Sequence, residues 1–150
     1  MSSSRLERWF LKLAAKGYTI TSPDTFMYNC FSWAAGDSEH WWEPGSGMRH
    51  YYWPPSVPRE YALAAYIQAF VSIGYEVCDG SDLEQGFEKV ALFSDADGEP
   101  SHSARQLVSG SWTSKLGEWE DIEHTTLTAL EGDVYGTVAP VLKRPRNKTD

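Results

Sequence analysis

The residues of this chain best suited to covalent chemistry are Cys30 and His102. Cys30 follows a segment rich in Thr, Ser, Pro and Asp and opens a short apolar run of helical composition, which predicts that its thiol lies at a helix start. The free N–H groups and partial positive charge of a helix start favour a thiolate over a thiol. With His102 as proton acceptor, the two residues have the composition of a cysteine nucleophile and its base.

Such a pair also needs a group that orients the imidazole. The strand predicted after His102 carries Ser114 and Lys115, and either is a candidate for the position next to the ring. A second polar cluster follows in the sequence, and the residue patterns do not choose between the two. That second cluster contains Asp121, Glu123 and His124. The predicted catalytic set is therefore Cys30 and His102 with Ser114 and Asp121 as the leading partners.

The oxyanion of an acyl transfer needs hydrogen-bond donors close to the nucleophile. The N–H of Cys30 at the predicted helix start is one expected donor. Tyr28 or Asn29, the two residues before it, offer a second.

Aromatic residues are frequent, with seven Trp, eight Tyr and six Phe, and many crowd around the Gly- and Pro-rich loop 43–47. Large rings on a loop beside a nucleophile predict the wall of a substrate groove. The alternative, equally weighted, is that the loop folds back and buries the rings locally. The predicted groove residues are Trp41, Trp42, Tyr52 and Trp53, with Lys115 as a polar substrate contact, whereas His40 and His50 are expected on the surface of this loop.

Composition excludes several classes of function. A net charge of −8 and a pI near 4.9 argue against a surface that binds nucleic acid. The apolar stretch 61–73 falls short of the ~20 residues that a membrane span needs. Two cysteines make no disulfide framework and no signal peptide is evident, so a cytoplasmic protein, or one delivered by other machinery, is expected. No Cys-x-x-Cys pair is present; no metal and no cofactor are expected, and Cys78 is expected to be structural.

The elements that must position these residues follow from periodicity. Helices are predicted over 3–16, from Cys30 to about 36, and over 59–73, the last with the broadest apolar face. Strands are predicted over 17–21, 75–79, 89–93, 101–107, 111–116 and 136–143. Helices first and strands second predict one α+β domain over 1–150, with N-terminal helices packed on one face of an antiparallel meander and 144–150 as a flexible tail. Period-two alternation is expected to aim His102 at the face that carries the Cys30 helix.

Three runs of the sequence resemble the papain-like NlpC/P60 superfamily, in particular small bacterial members with a similar order of Cys, His and Ser-Lys-x-Gly. They are YNCFSWAAG at 28–36, SHSARQL at 101–107 and GSWTSKLG at 110–117. The resemblance implies a papain-like core with Cys30 at the start of a helix, His102 on an antiparallel sheet and a third polar residue on a neighbouring strand. Members cleave peptide or amide bonds, often in bacterial cell walls. The chain departs from them in having Ser114 and Lys115 where His, Asn, Asp or Gln is more usual.

Two hypotheses follow. The first is a thiol-dependent hydrolase or acyltransferase of peptide or amide bonds, acting through a Cys30 thioester with His102 as base and acid, in the manner of an effector or toxin domain. The second is a non-catalytic module that binds a protein partner through the aromatic loop 40–53.

Overall fold

A seven-stranded antiparallel sheet forms the centre of the chain, whose computed structural model describes residues 3–45 and 51–146. Its strands are β1 (Tyr18–Ser22), β4 (Glu76–Cys78), β5 (Phe87–Ser94), β6 (Pro100–Gln106), β7 (Trp112–Lys115), β8 (Asp121–His124) and β9 (Thr137–Pro145). Their order is β1-β8-β7-β6-β5-β9-β4, so β5 to β8 form a meander. Two short strands, β2 (Trp41–Trp42) and β3 (Tyr51–Tyr52), pair in parallel in a second sheet.

Helices cover both faces of the large sheet. The helices α3 (Cys30–Ala34) and α4 (Leu63–Val71) pack on what we call the front face, with Val90 and Leu92 beneath them. The back face, which carries Ala91 and Phe93, is covered by α1 (Ser4–Trp9), α2 (Leu13–Lys16) and a 3₁₀ helix (Leu127–Leu130). The α+β class is confirmed.

The prediction that the helices share one face is wrong, and the centre of β5 shows why. Residues 90–93 form an unbroken apolar run, and all four are fully buried. A strand that is apolar at consecutive positions needs cover on both sides, whereas a half-exposed strand alternates.

Most predicted strands are confirmed within two residues of their ends. β8 was not predicted as a strand because its sequence, Asp-Ile-Glu-His, carries only one apolar residue. The predicted helix 3–16 is two short helices, interrupted at Phe10–Lys12, and Ser3 caps the first. The predicted helix 59–73 is confirmed over Leu63–Val71.

The predicted flexible tail, residues 144–150, begins too early in the sequence. β9 continues to Pro145, and the guanidinium groups of Arg144 and Arg146 both lie within ion-pair distance of the Glu88 carboxylate. Of the predicted tail, residues 147–150 lie outside the described residues, as does His50.

Gly136 enters β9 at a point where no side chain fits. Its φ is +76°, and a Cβ there would lie 2.0 Å from the carbonyl oxygen of Ser94. Gly98 has a similar φ of +80° but open space around it. The two positions therefore share backbone strain and differ in steric clash.

We expect Gly136→Ala to destabilise the fold far more than Gly98→Ala. The control substitution introduces only left-handed strain, about 1 to 2 kcal/mol, whereas the Gly136 variant must also move the β5 backbone. Urea unfolding of both variants measures the difference. Equal losses of unfolding free energy in the two variants would contradict this prediction, because they would show that the backbone near Gly136 moves without a loss of stability.

Candidate functional site

Cys30 is the first residue of α3, which confirms that its thiol lies at a helix start. The Asn29 side chain accepts the Ser32 N–H at 3.0 Å, and the Asn29 N–H donates to Ser32 Oγ at 2.8 Å. This reciprocal pair is a capping box, which satisfies N–H groups that a helix start otherwise leaves free. The cap sets where the helix begins and so where the Cys30 side chain leaves the backbone.

The Cys30 thiol is protonated at neutral pH. Only 6% of the residue is exposed, and burial raises the pKa of the thiol to about 12. The backbone N–H groups of Ser103, Phe31 and Cys30 itself act in the opposite direction, but burial outweighs them. The expectation that the helix start yields a thiolate is therefore wrong for this resting state.

A chain of hydrogen bonds joins two buried imidazoles behind the sheet. The His102 Nε2 lies 3.0 Å from Ser114 Oγ, and the same hydroxyl lies 2.8 Å from His124 Nε2. The other nitrogen of His124, Nδ1, lies 2.9 Å from the carbonyl oxygen of Thr126. We call these four groups the imidazole relay.

The Thr126 carbonyl at one end of the imidazole relay determines which atoms of the relay carry protons. A carbonyl only accepts, so His124 Nδ1 carries its proton and, in the neutral ring, Nε2 is an acceptor. Ser114 then donates to His124 and accepts from the Nε2–H of His102. The remaining nitrogen, His102 Nδ1, is left with a lone pair and, within the described residues, without a hydrogen-bond partner. Both rings are neutral because burial lowers the pKa of His124 to about 4 and that of His102 well below 6.5.

Of the candidates for the orienting group, the structure brings Ser114 and His124 to His102. Asp121 lies elsewhere: it pairs in register with Lys115 on the front face, and its Oδ2 accepts the hydroxyl of Tyr28 at 2.7 Å. The prediction of Asp121 as a catalytic partner is therefore not supported by its position. The register partner of Asp121 is Lys115, the neighbour of Ser114. Because neighbouring residues of a strand point to opposite faces, Ser114 and Asp121 lie on opposite faces of the sheet.

Cys30 packs against the front of β6, whereas the side chain of His102, which belongs to β6, points to the back. Ser103 faces α3, and its Oγ donates to the Cys30 carbonyl at 3.1 Å. The His102 ring lies on the back face, where it stacks on Tyr135 at 4.1 Å between centroids and meets the edge of Phe93. The prediction that alternation aims His102 at the Cys30 helix is wrong by one residue, since a period of two gives that face to Ser103.

Two indirect contacts nevertheless connect these groups. The N–H that faces the Cys30 sulfur belongs to Ser103, the residue next to His102. The pKa of Tyr135, which stacks on the His102 ring, is raised by burial and further by the nearby Cys30. In this resting arrangement no hydrogen bond joins the thiol to His102 Nδ1.

Both predicted side-chain donors for an oxyanion are engaged elsewhere. The Asn29 Nδ2 donates to the carbonyl of Trp42 at 2.8 Å, and the Tyr28 hydroxyl donates to Asp121. The N–H groups beside the sulfur are those of Cys30, Phe31 and Ser103. The Cys30 donor was predicted, whereas the Ser103 donor was missed because it comes from a strand 73 residues away.

Lys115 has a structural role, and none of its three ammonium protons is free to bind a substrate. Its ammonium donates to the carbonyls of Thr25 at 2.8 Å, Gly117 at 2.9 Å and Trp119, and the residue is fully buried. Three protons meet three acceptors, so the predicted substrate contact is not available. The contacts hold the loop before Cys30 against the turn after β7.

The predicted groove wall divides into buried and accessible rings. Trp42 and Trp53 belong to the front core, and their indole N–H groups donate to the Asp37 carboxylate and the Pro58 carbonyl. For these two the alternative of local burial is correct. Trp41 is half-buried and donates to Glu43, and Tyr52 is 37% exposed, so only these two retain a surface for a ligand.

Comparison with known proteins places most of the chain in one family. Residues 19–143 match the family described as domain of unknown function DUF7689. The chain belongs to the DUF7689 family. The match spans α3, the relay residues and all of β4 to β8. Neither a curated protein nor a solved structure shows significant similarity to this DUF7689 chain.

The described residues provide neither a metal site nor a membrane-spanning helix. Within residues 3–45 and 51–146, no three His, Cys, Asp or Glu side chains are grouped so as to hold a metal ion. None of the helices in the described part of the chain has the length and apolar character to cross a bilayer.

The imidazole relay predicts that acidification destabilises the fold. Unfolded histidine binds a proton below pH 6.5, whereas folded His124 does so only below about 4, so the unfolded state binds more protons between these values. The stability that the protein gains while His124 is neutral in both states is fully present above pH 6.5, and it is lost as the pH falls to about 4. It amounts to roughly 3 kcal/mol for His124.

Urea unfolding across this pH range measures the effect. His124→Gln should flatten the pH dependence relative to the wild type, because glutamine binds no proton in this range. A slope that is the same in the wild type and the His124 variant would contradict the neutral relay.

Proposed function

We propose that the protein is a thiol-dependent hydrolase or acyltransferase with a papain-like, NlpC/P60-type site, which attacks a peptide or amide bond through a Cys30 thioester. The observation that carries the proposal is the bare lone pair on His102 Nδ1. Every other nitrogen or oxygen along the relay of Ser114, His124 and the Thr126 carbonyl has a hydrogen-bond partner. A buried base without a partner costs free energy, and such a cost is typical of a site that acts on a proton.

The reaction follows from the groups around the sulfur. As the Cys30 sulfur bonds to the carbonyl carbon, the thiol proton passes to His102 Nδ1, and the carbonyl oxygen takes negative charge near the N–H groups of Cys30 and Ser103. The carbon–nitrogen bond then breaks, and the proton on Nδ1 passes to the leaving amine. Water, or another amine or hydroxyl in the case of transfer, releases the acyl group from the thioester, and the thiol is restored.

Because the thiol and the imidazole are both neutral, the proton transfer accompanies attack and no thiolate accumulates beforehand. The resting site must also change before the ring reaches the sulfur. β6 pairs with β7 only at Arg105 and Gln106, so residues 100–104 have no β7 partner on that side. This unpaired edge is where we expect the start of β6 to shift when substrate binds, and catalytic hydrogen bonds commonly tighten only in the substrate complex.

A second candidate function is the non-catalytic binding module. Its supporting observation is the buried Cys30 thiol with a pKa raised to about 12. In that case Trp41 and Tyr52 provide the contact surface for a protein partner, and the relay serves only to hold β6, β7 and β8 together.

An activated ester distinguishes the two functions. With p-nitrophenyl acetate we expect a burst of nitrophenolate and one acetyl group on Cys30, located by mass spectrometry of peptides. Cys30→Ser should abolish both, whereas Cys78→Ser, at the half-exposed second cysteine, should abolish neither. Acetylation confined to Cys78, or none at all, would support the binding module.

The role of His102 is tested by the pH dependence of acetylation. His102 acts as a base in its neutral form, and burial holds its pKa well below 6.5, so the rate should persist to a pH well below 6.5 before it falls. His102→Gln should lower the rate by roughly 100-fold to 10,000-fold. Ser114→Ala should shift the acid limb of the profile, since it removes the acceptor of the Nε2 proton. A rate that His102→Gln leaves unchanged would exclude His102 as the base.

A further inference from the structure

A cavity of about 860 Å³ opens at the end of the front face, next to the C-terminal end of α3 and away from Cys30. Three guanidinium groups converge on it, those of Arg105, Arg144 and Arg146, together with the carboxylate of Glu88. We call it the arginine cavity. Three positive charges and one negative charge leave a net charge of two positive, in a chain whose own net charge is −8.

Glu88 is already used by two of the arginines. Its Oε1 accepts from Arg144 Nε at 2.6 Å, and its Oε2 lies 3.8 Å from Arg146 Nη1. Only 5% of the Glu88 side chain is exposed, so this carboxylate is a structural element of the cavity wall. Arg144 also donates to the carbonyl of Ile73, and Arg146 to that of Phe87, which holds both guanidinium groups in place.

Arg105 has no such compensation. Its guanidinium lies 5.7 Å from the centre of the Trp33 ring, which orients it, but the buried Nε has no hydrogen-bond partner within the described residues. No ion pair within 4.0 Å involves Arg105 in this part of the chain. Its positive charge therefore lacks a carboxylate partner there, and an anionic oxygen in the cavity would provide the missing opposite charge.

We propose that the arginine cavity binds a small, doubly charged oxyanion, carried by a phosphate ester or a dicarboxylate. The net charge of the wall matches a dianion, the guanidinium forks suit pairs of oxygens, and the volume suits a small organic molecule. The site is separate from the relay: Arg105 lies on the front face of β6, paired with Val90, whereas the His102 ring lies on the back.

Inorganic phosphate and succinate, added separately at constant ionic strength, are the probes. Isothermal titration calorimetry measures affinity, and the melting temperature provides a second readout. Binding of phosphate alone indicates the phosphate-ester class, and binding of succinate indicates the dicarboxylate class. Millimolar concentrations of both probes without binding would overturn the proposal.

Arg105→Gln should weaken binding at least about tenfold, since it removes one guanidinium from the anion. Arg8→Gln is the matched control, because it makes the same substitution at an exposed arginine on α1. Affinity that is equal in the Arg105 and Arg8 variants would overturn the assignment.

The melting temperature without anion separates this role from a structural one. We expect Arg105→Gln to melt at the wild-type temperature or higher, because it removes a positive charge that no carboxylate of the described residues compensates and that lies near two further arginines. Added anion should then raise the melting temperature of the wild type but not of the variant. A variant that melts well below the wild type without anion would show that Arg105 serves the fold, and would overturn the proposal. None of these measurements depends on Cys30, so their failure leaves the proposed hydrolase untouched.

Discussion

The burial of both faces of the central sheet is the constraint on which the rest of the structure depends. The central side chains of β5, residues 90–93, are fully buried and point alternately into the two cores, so each polar group beside them must find a partner inside the protein. The structure meets this demand in three ways: neutral imidazoles linked through a hydroxyl, a lysine surrounded by carbonyls, and a carboxylate shared by two arginines.

Two of the five buried polar atoms that have no hydrogen-bond partner within the described residues are the basis of the two proposals. His102 Nδ1 is a buried acceptor without a donor, and Arg105 Nε is a buried donor without an acceptor. They lie on opposite faces of β6, three residues apart in the strand, and each needs the opposite kind of hydrogen-bonding group. A proton from a thiol suits the first, and an anionic oxygen suits the second.

Burial also determines which kind of cysteine chemistry the site can perform. A helix start and three N–H groups would stabilise a thiolate, yet removing the sulfur from water raises the pKa to about 12. The same low polarity keeps both imidazoles neutral. A site of this kind cannot store an ion pair in its resting state, so its reactivity depends on a base that accepts the proton only as the new bond forms.

The sequence by itself determined most of the helices and strands, and it placed Cys30 at a helix start. The Thr-, Ser-, Pro- and Asp-rich segment before Cys30, the turn glycines and the apolar runs of β5 and β9 are local signals, and they predicted the helix at Cys30, most strands and the α+β class. The proximity of Ser114 to His102 was also predicted, since both lie on strands of a short meander.

Only the tertiary structure decided which face each residue occupies and which residues it meets there. A shift of one residue in a strand reverses the face, so Ser103 and not His102 lies against Cys30, and Ser114 and Asp121 separate although they were predicted together. Burial of the thiol, the use of all three protons of Lys115 and the convergence of Arg105 with Arg144 depend on strands that are distant in the chain. Pairing and dehydration of this kind are properties of the assembled layers, which no local pattern encodes.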